Sequence, residues 1–459
     1  MGVSTAKQLT FNIAQKISMK EKIGYATGDL ACNFIYQTVS SYLLFFYTDV
    51  FGISAAAAGF MFLIVRFLDA VMDPIIGIFV DKTNTKYGRF RPYLLYGAFP
   101  FAIVAILCFT TPGFSGTGKL VYAYITYILL SITYSTVNVP YSALTAAITK
   151  DNKEIVSLTS VRMLFSNGGG MIVSFGVPFL AALFTQATGK TGTGWQITMS
   201  IMGILGAILL IVSFLSTKER VQISEAESKV SFKDIFSQLR VNRPLVLVCV
   251  FFILNFGVNS IINSVGIYYV TYNVARPDLV KWYGLLGTLP ALILMPLIPV
   301  MYKFMGKKKL LFLSLFLKFI GLVGLFLIPS SMVAGVFTAR IIQALGTITC
   351  GGFVWALIPE TIDYGEYKTG KRASGVVYAL VNFFFKFGMA IGGIVPGLIL
   401  ANFGYVAKHA QTATALHGIL ITLTVIPAVF VAIELFAIYF YNFDEKEHKR
   451  VLAELAARG

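Results

Sequence analysis

Charge is scarce in this chain, and histidine scarcer still. Only 13% of the 459 residues are charged and three are His, whereas soluble domains carry about 25% charged residues. With 57% hydrophobic residues and 40 phenylalanines, the chain has too little polar surface to face water, so the bilayer is its solvent. Cys32, Cys108, Cys249 and Cys350 all fall in apolar runs with no metal-ligand spacing, which excludes a disulfide framework or a zinc site. Lacking a Cys/His cluster, the chain is not expected to be an enzyme, and it needs no cofactor beyond a coupling ion. Its opening, MGVSTAKQLTFNIAQKISMKEK, has no cleavable apolar core, so the first span is expected to direct insertion.

What charge there is sums to +16, yet no continuous basic face suits a nucleic acid. Apolar runs fall at 23–47, 55–80, 92–111, 120–148, 160–185 and 195–216, then at 244–272, 282–302, 308–328, 331–359, 373–402 and 414–441. That is an all-α integral membrane protein of about 12 transmembrane helices. Lys82, Lys86, Arg89 and Arg91 crowd the second gap, and every even-numbered gap is richer in Lys and Arg than its neighbours. The positive-inside rule then puts both termini in the cytoplasm. The expected parts are a tail over 1–22, a six-helix bundle over 23–216, a linker over 217–243, a second bundle over 244–441 and a tail over 442–459. Phe232, Ile235, Phe236 and Leu239 recur at helical spacing, predicting a surface helix in the linker. Two faintly echoing six-helix halves suit a transporter.

Several spans carry polar groups that lipid would not tolerate. In RFLDAVMDPIIG, Arg66, Asp69 and Asp73 share one face of the second span. Each charge at mid-bilayer costs roughly 2.5–3.5 kcal/mol, so the stripe faces protein, water or an ion. It is either an internal salt bridge that packs the bundle, or a cation site built on the acid left over when Arg66 satisfies Asp69. The first span aligns Asp29, Asn33, Tyr36, Gln37 and Ser40, and the fourth Ser131, Tyr134, Ser135, Asn138 and Ser142. The seventh carries an Asn255, Asn259, Asn263 ladder, and the eleventh Ser374, Tyr378, Asn382 and Lys386. Such groups either glue helices together or grip a polyhydroxylated ligand through amides, hydroxyls and aromatic faces. Arg162 is a further cation in the fifth span, unless it snorkels to the boundary.

The strings GYATGDLACNF, YTDVFGIS, RFLDAVMDPIIGIFVDKTNTKYGRFRPY, TYILLSITYSTVNVPYSALTAAIT and PETIDYGEYKTGKR resemble the glycoside–pentoside–hexuronide:cation symporter family of the major facilitator superfamily. The likeness runs along nearly the whole chain. It implies a coupling-cation site at Asp69 and Asp73, with Lys386 linking it to the sugar and Arg66 beside it. It further implies a sugar pocket of Asn33, Tyr134, Ser135, Asn138, Arg162, Asn382 and Lys386, to which the polar stripes add Asp29, Tyr36, Gln37, Ser142 and Tyr378. Asp81 and Arg89 would belong to the gate. Where melibiose permease has aspartates, this chain has Asn33 and Asn138, which disfavours a galactoside and favours a pentoside, other glycoside or hexuronide. Met72 replaces an asparagine ligand for sodium, which favours H+ over Na+.

The expected function is alternating-access symport of a small saccharide with a monovalent cation, by a monomer in the cell's inner membrane. The rivals are a sugar uniporter or exchanger without cation coupling, and a lysolipid-type transporter.

Overall fold

A computed structural model describes residues 17–149, 151–221, 238–370, 373–439 and 445–458. In hydrocarbon each backbone N–H and C=O needs a partner within its own segment, and the apolar runs accordingly fold as helices, with no strand among the described residues. The first half comprises α1 (Met19–Phe45), α2 (Ala55–Lys82), α3 (Arg91–Cys108), α4 (Thr117–Ile148), α5 (Asn152–Thr188) and α6 (Thr191–Ser216). The second comprises α7 (Arg243–Tyr268), α8 (Val280–Thr288), α9 (Pro290–Met305), α10 (Lys307–Leu327), α11 (Val333–Val354), α12 (Leu357–Thr369), α13 (Ser374–Asn402), α14 (Ala413–Leu423) and α15 (Val425–Tyr439). A last helix, α16 (Glu445–Arg458), packs on α12.

Local chemistry sets many of the boundaries. Ser18 accepts from Glu21 N–H at 3.2 Å and Ser54 from Ala57 N–H at 3.3 Å, capping α1 and α2. The chain leaves α1 through a π-helical turn, Phe46–Phe51, which ends at Gly52 with φ 85°, a conformation glycine takes without strain. Three single runs of the sequence are divided. The eighth breaks into α8 and α9 ahead of Pro290, the tenth into α11 and α12, and the twelfth into α14 and α15 ahead of Pro427. Proline supplies no N–H to the preceding turn. The predicted linker helix lies mostly outside the described residues: of its apolar positions only Leu239 is described.

Among the described residues, ten helical runs are long and apolar enough to cross a membrane. The runs over α1 and α2, which carry the polar and charged stripes, are not among them, and each packs on helices of both halves. Between the halves, α2 packs on α13, α1 on α7 and α5 on α8. Glycine permits the closest of these approaches: a Cβ on Gly59 would sit 3.2 Å from Gly397 Cα, and one on Gly284 only 2.7 Å from Ser174 O.

Candidate functional site

Midway along α2 the charges are organised in two contacts. Arg66 Nη1 lies 3.3 Å from Asp69 Oδ2, one helical turn on, while Ser131 of α4 donates to Asp69 Oδ1. Asp69 is thereby buried with both oxygens engaged. Asp73, the next turn along, is reached from the other half: Lys386 of α13 donates to its Oδ2, and lies 3.4 Å from the Asp69 carbonyl. Asp73 Oδ1 has no partner, although 30% of the side chain remains exposed. The acid that stayed unpaired on sequence grounds is therefore paired by a cation 313 residues away. Two acids and two bases leave the cluster neutral.

Beside it, α1 and α4 supply an aromatic wall. Tyr36 stacks on Tyr134 with ring centroids 5.4 Å apart, and the Arg66 guanidinium covers Tyr36 at 5.8 Å. A narrow cavity opens here between Tyr36, Arg66, Asp69, Tyr127, Ser131 and Tyr134. Tyr36 Oη reaches Met389 Sδ of α13 at 3.2 Å, so this wall also touches the second half.

Asp29 and Arg162 face each other rather than open space. Arg162 Nε is 2.5 Å from Asp29 Oδ2, and Nη2 is 3.3 Å from Oδ1. The guanidinium also rests 4.8 Å from the centre of the Tyr141 ring. Arg162 is thus a half-buried, two-pronged ion-pair partner, a geometry suited to arginine, and does not snorkel. Asn33 donates to Asp29 O and Ser166 Oγ, both at 2.9 Å, and Gln37 donates to Ser41 Oγ at 3.2 Å. Ser135 is buried and Asn138 half-buried, whereas Ser142, Tyr378 and Asn382 are exposed. These exposed groups lie beyond the Asp73–Lys386 contact, toward the end of the bundle that carries the described termini. There Arg89 Nη1 sits 3.8 Å from Asp81 Oδ1, and Glu219 accepts the backbone N–H of Arg89, Phe90 and Arg91 at 2.8–2.9 Å. Both gate candidates belong to the first half.

The opposite end is closed by groups that the sequence did not single out. Tyr405 donates to both oxygens of Asp49 at 2.6 and 2.7 Å, and Tyr272 donates to Oδ1. Thr48 adds a bond to Oδ2 at 2.6 Å and pairs with Tyr268 at 2.7 Å. Asp49 and Thr48 come from the first half; all three tyrosines come from the second. At the end with the termini, in contrast, the recorded pairs Lys22–Glu154, Arg220–Glu21, Lys307–Glu360 and His448–Asp363 each stay within one half. Ser131 and Ser166 are two further ligating groups; only Ser131 was visible beforehand, as part of the fourth span's polar stripe.

Comparison with known proteins bears on the family and the fold. Residues 24–445 match the family described as MFS/sugar transport protein. The chain is 62% identical over 444 residues to the uncharacterized symporter YnaJ of Bacillus subtilis (strain 168), covering 97% of this chain and 96% of that one. It is 36% identical to the isoprimeverose transporter of Lactiplantibacillus pentosus, covering 96% and 91%. Among solved structures, a bacterial homolog of the human lysosomal transporter Spinster, inward-facing and unoccupied, superposes with a TM-score of 0.68 at 14% identity, covering 92% of this chain and 98% of that one. That likeness concerns the fold alone.

Proposed function

This chain belongs to the MFS/sugar transport family, and we propose that it is a cation-coupled symporter that brings a small glycoside, pentoside or hexuronide into the cell. It is a multi-pass membrane transporter rather than an enzyme. The observation that carries the coupling is the ion pair between the halves, Lys386 to Asp73, with the second Asp73 oxygen unpartnered.

A cation arriving at Asp73 competes with the Lys386 ammonium for the same carboxylate. Once displaced, the ammonium can donate to a saccharide hydroxyl or carboxylate, so each ligand favours the other reciprocally, as linkage requires. The stacked Tyr36 and Tyr134 rings offer an apolar face to a sugar ring, and Asn33 and Asn138 offer neutral amides. Met72 brings no oxygen to a sodium ion, a hard cation that prefers oxygen ligands, so H+ is the favoured partner. The charge bias of the gaps places both termini in the cytoplasm. The Asp49 end then faces outside, and the carrier rests open inward as a monomer. The relatives named as a symporter and an isoprimeverose transporter support a saccharide and a cation as cargo.

Uptake of a panel of pentosides, hexosides and hexuronides into proteoliposomes, at varied sodium and pH, tests this. The expected result is accumulation of at least one class, with transient alkalinisation outside. Accumulation that follows sodium with no proton movement overturns the choice of ion, and equilibration without accumulation overturns symport.

A further inference from the structure

The asparagine ladder of α7 has no part in the coupling scheme, and it leads into charges buried in the second half. Lys318 on α10 and Glu434 on α15 are both 0% exposed, on helices that pack directly. Lys318 Nζ and both Glu434 carboxylate oxygens have no hydrogen-bond partner. The two feel each other's charge, and the Cys350 thiol of α11 lies in the field of both. Cys350 Sγ accepts from Asn255 Nδ2 at 2.8 Å, and Asn255 Oδ1 from Asn259 Nδ2 at 3.0 Å. Asn259 is half-buried, with its own Oδ1 unpartnered, on a helix that packs on α1 across the interface.

A carboxylate without donors and an ammonium without acceptors are the least stable forms these groups can take in a low-dielectric interior. Moving the ammonium proton to the carboxylate removes both charges together. Lys318 becomes a free amine and Glu434 a carboxylic acid, with the proton count and net charge unchanged. We propose that Lys318 and Glu434 hold this neutral pair, forming a proton-binding site in the second half that is separate from the α2 carboxylates. The free amine is then a base able to take up a further proton. Asn259, Asn255 and Cys350, each neutral and hydrogen-bonded to the next, run from the interface between the halves toward it. Around Glu434, α10 supplies Lys318 and α11 the Cys350 thiol, to which the neutral Asn255 of α7 donates; His417 of α14 is exposed. Nothing in this assignment depends on the coupling reading.

Infrared difference spectroscopy on the purified carrier in lipid reads the carbonyl stretch of a protonated carboxylic acid without any transport. Wild type is expected to show such a band at neutral pH, equal to one carboxyl per chain, and Glu434→Gln to remove it. Lys318→Met should keep it, and Cys350→Ala should identify an S–H stretch that shifts in both other variants. If the pair is ionised, the band is absent from wild type between about pH 5 and pH 9, the range bracketing buried glutamates, and appears only in Lys318→Met. That outcome overturns the proposal. Glutamine is isosteric with glutamate, and should it still prevent folding, Glu434→Asp displaces the same band and serves the assignment.

Discussion

Asp73→Asn removes one charge from a cluster whose four members now cancel: Arg66 and Lys386 against Asp69 and Asp73. Loading one cation onto the neutral wild-type cluster makes the occupied carrier carry a single positive charge. A membrane potential of about 100 mV acts on that charge with about 2.3 kcal/mol. At about 1.36 kcal/mol per tenfold, a one-to-one symporter then concentrates its sugar about fiftyfold. In the variant the ammonium of Lys386 has no carboxylate to yield to a cation, so the driving force has nothing to act on. The accumulation ratio is expected to fall to about one. The fold is expected to survive, because the asparagine oxygen still accepts from Lys386 and the Asp69 carbonyl stays within 3.4 Å. The assay is radiolabelled glycoside uptake into proteoliposomes under an imposed diffusion potential, paired with counterflow at zero potential. Counterflow should persist while accumulation disappears. Tens-fold accumulation by Asp73→Asn, or wild-type accumulation that ignores the imposed potential, would refute the reasoning.

Tyr36→Leu deletes the stack on Tyr134, a contact worth about 0.5–1.5 kcal/mol; the apparent KM for sugar should rise roughly two- to tenfold with little change in protein stability, as read from uptake kinetics and a melting curve. Asp49→Ala strips the shared acceptor of Tyr272, Tyr405 and Thr48, so the closed end should open more often. A cysteine at Ser40 would then react faster with an impermeant thiol reagent from that face, against a low background, since all four native cysteines are buried; an unchanged rate contradicts the assignment. Gly59→Val puts a side chain where Gly397 Cα leaves about 3.2 Å and should likewise favour the open form in that labelling assay. Arg162→Ala leaves the half-buried Asp29 carboxylate without its cation, which should cost less than the roughly 3–5 kcal/mol of a fully buried pair, and Asp29→Asn in the same chain should recover part of the lost melting temperature. Equal loss in the single and double variants would mean that the pair is not mutual.

Much of the site could be read from the chain because lipid makes polar residues conspicuous. The helix-2 acids, the Tyr36 and Tyr134 stripe and Lys386 each stood out as exceptions in apolar runs. Their pairing did not. Asp29 with Arg162, 133 residues apart, reads as two separate binding groups until α1 and α5 are packed together. Asp49, in a short gap with no basic residue, carried no signal that it would collect tyrosines from the far half. Lys318 and Glu434 lie inside apolar runs but were not singled out, and nothing local said that they would face each other.

Membership of the bilayer, the helical architecture and the positions of the polar stripes followed from the sequence by itself, because hydrocarbon penalises every unsatisfied polar group and leaves few alternatives. Which carboxylate meets which cation, and which end of the bundle is shut, came only with the tertiary structure. Those outcomes depend on distances of a few ångströms between segments hundreds of residues apart, and side-chain periodicity within one helix contains no information about its neighbour's register.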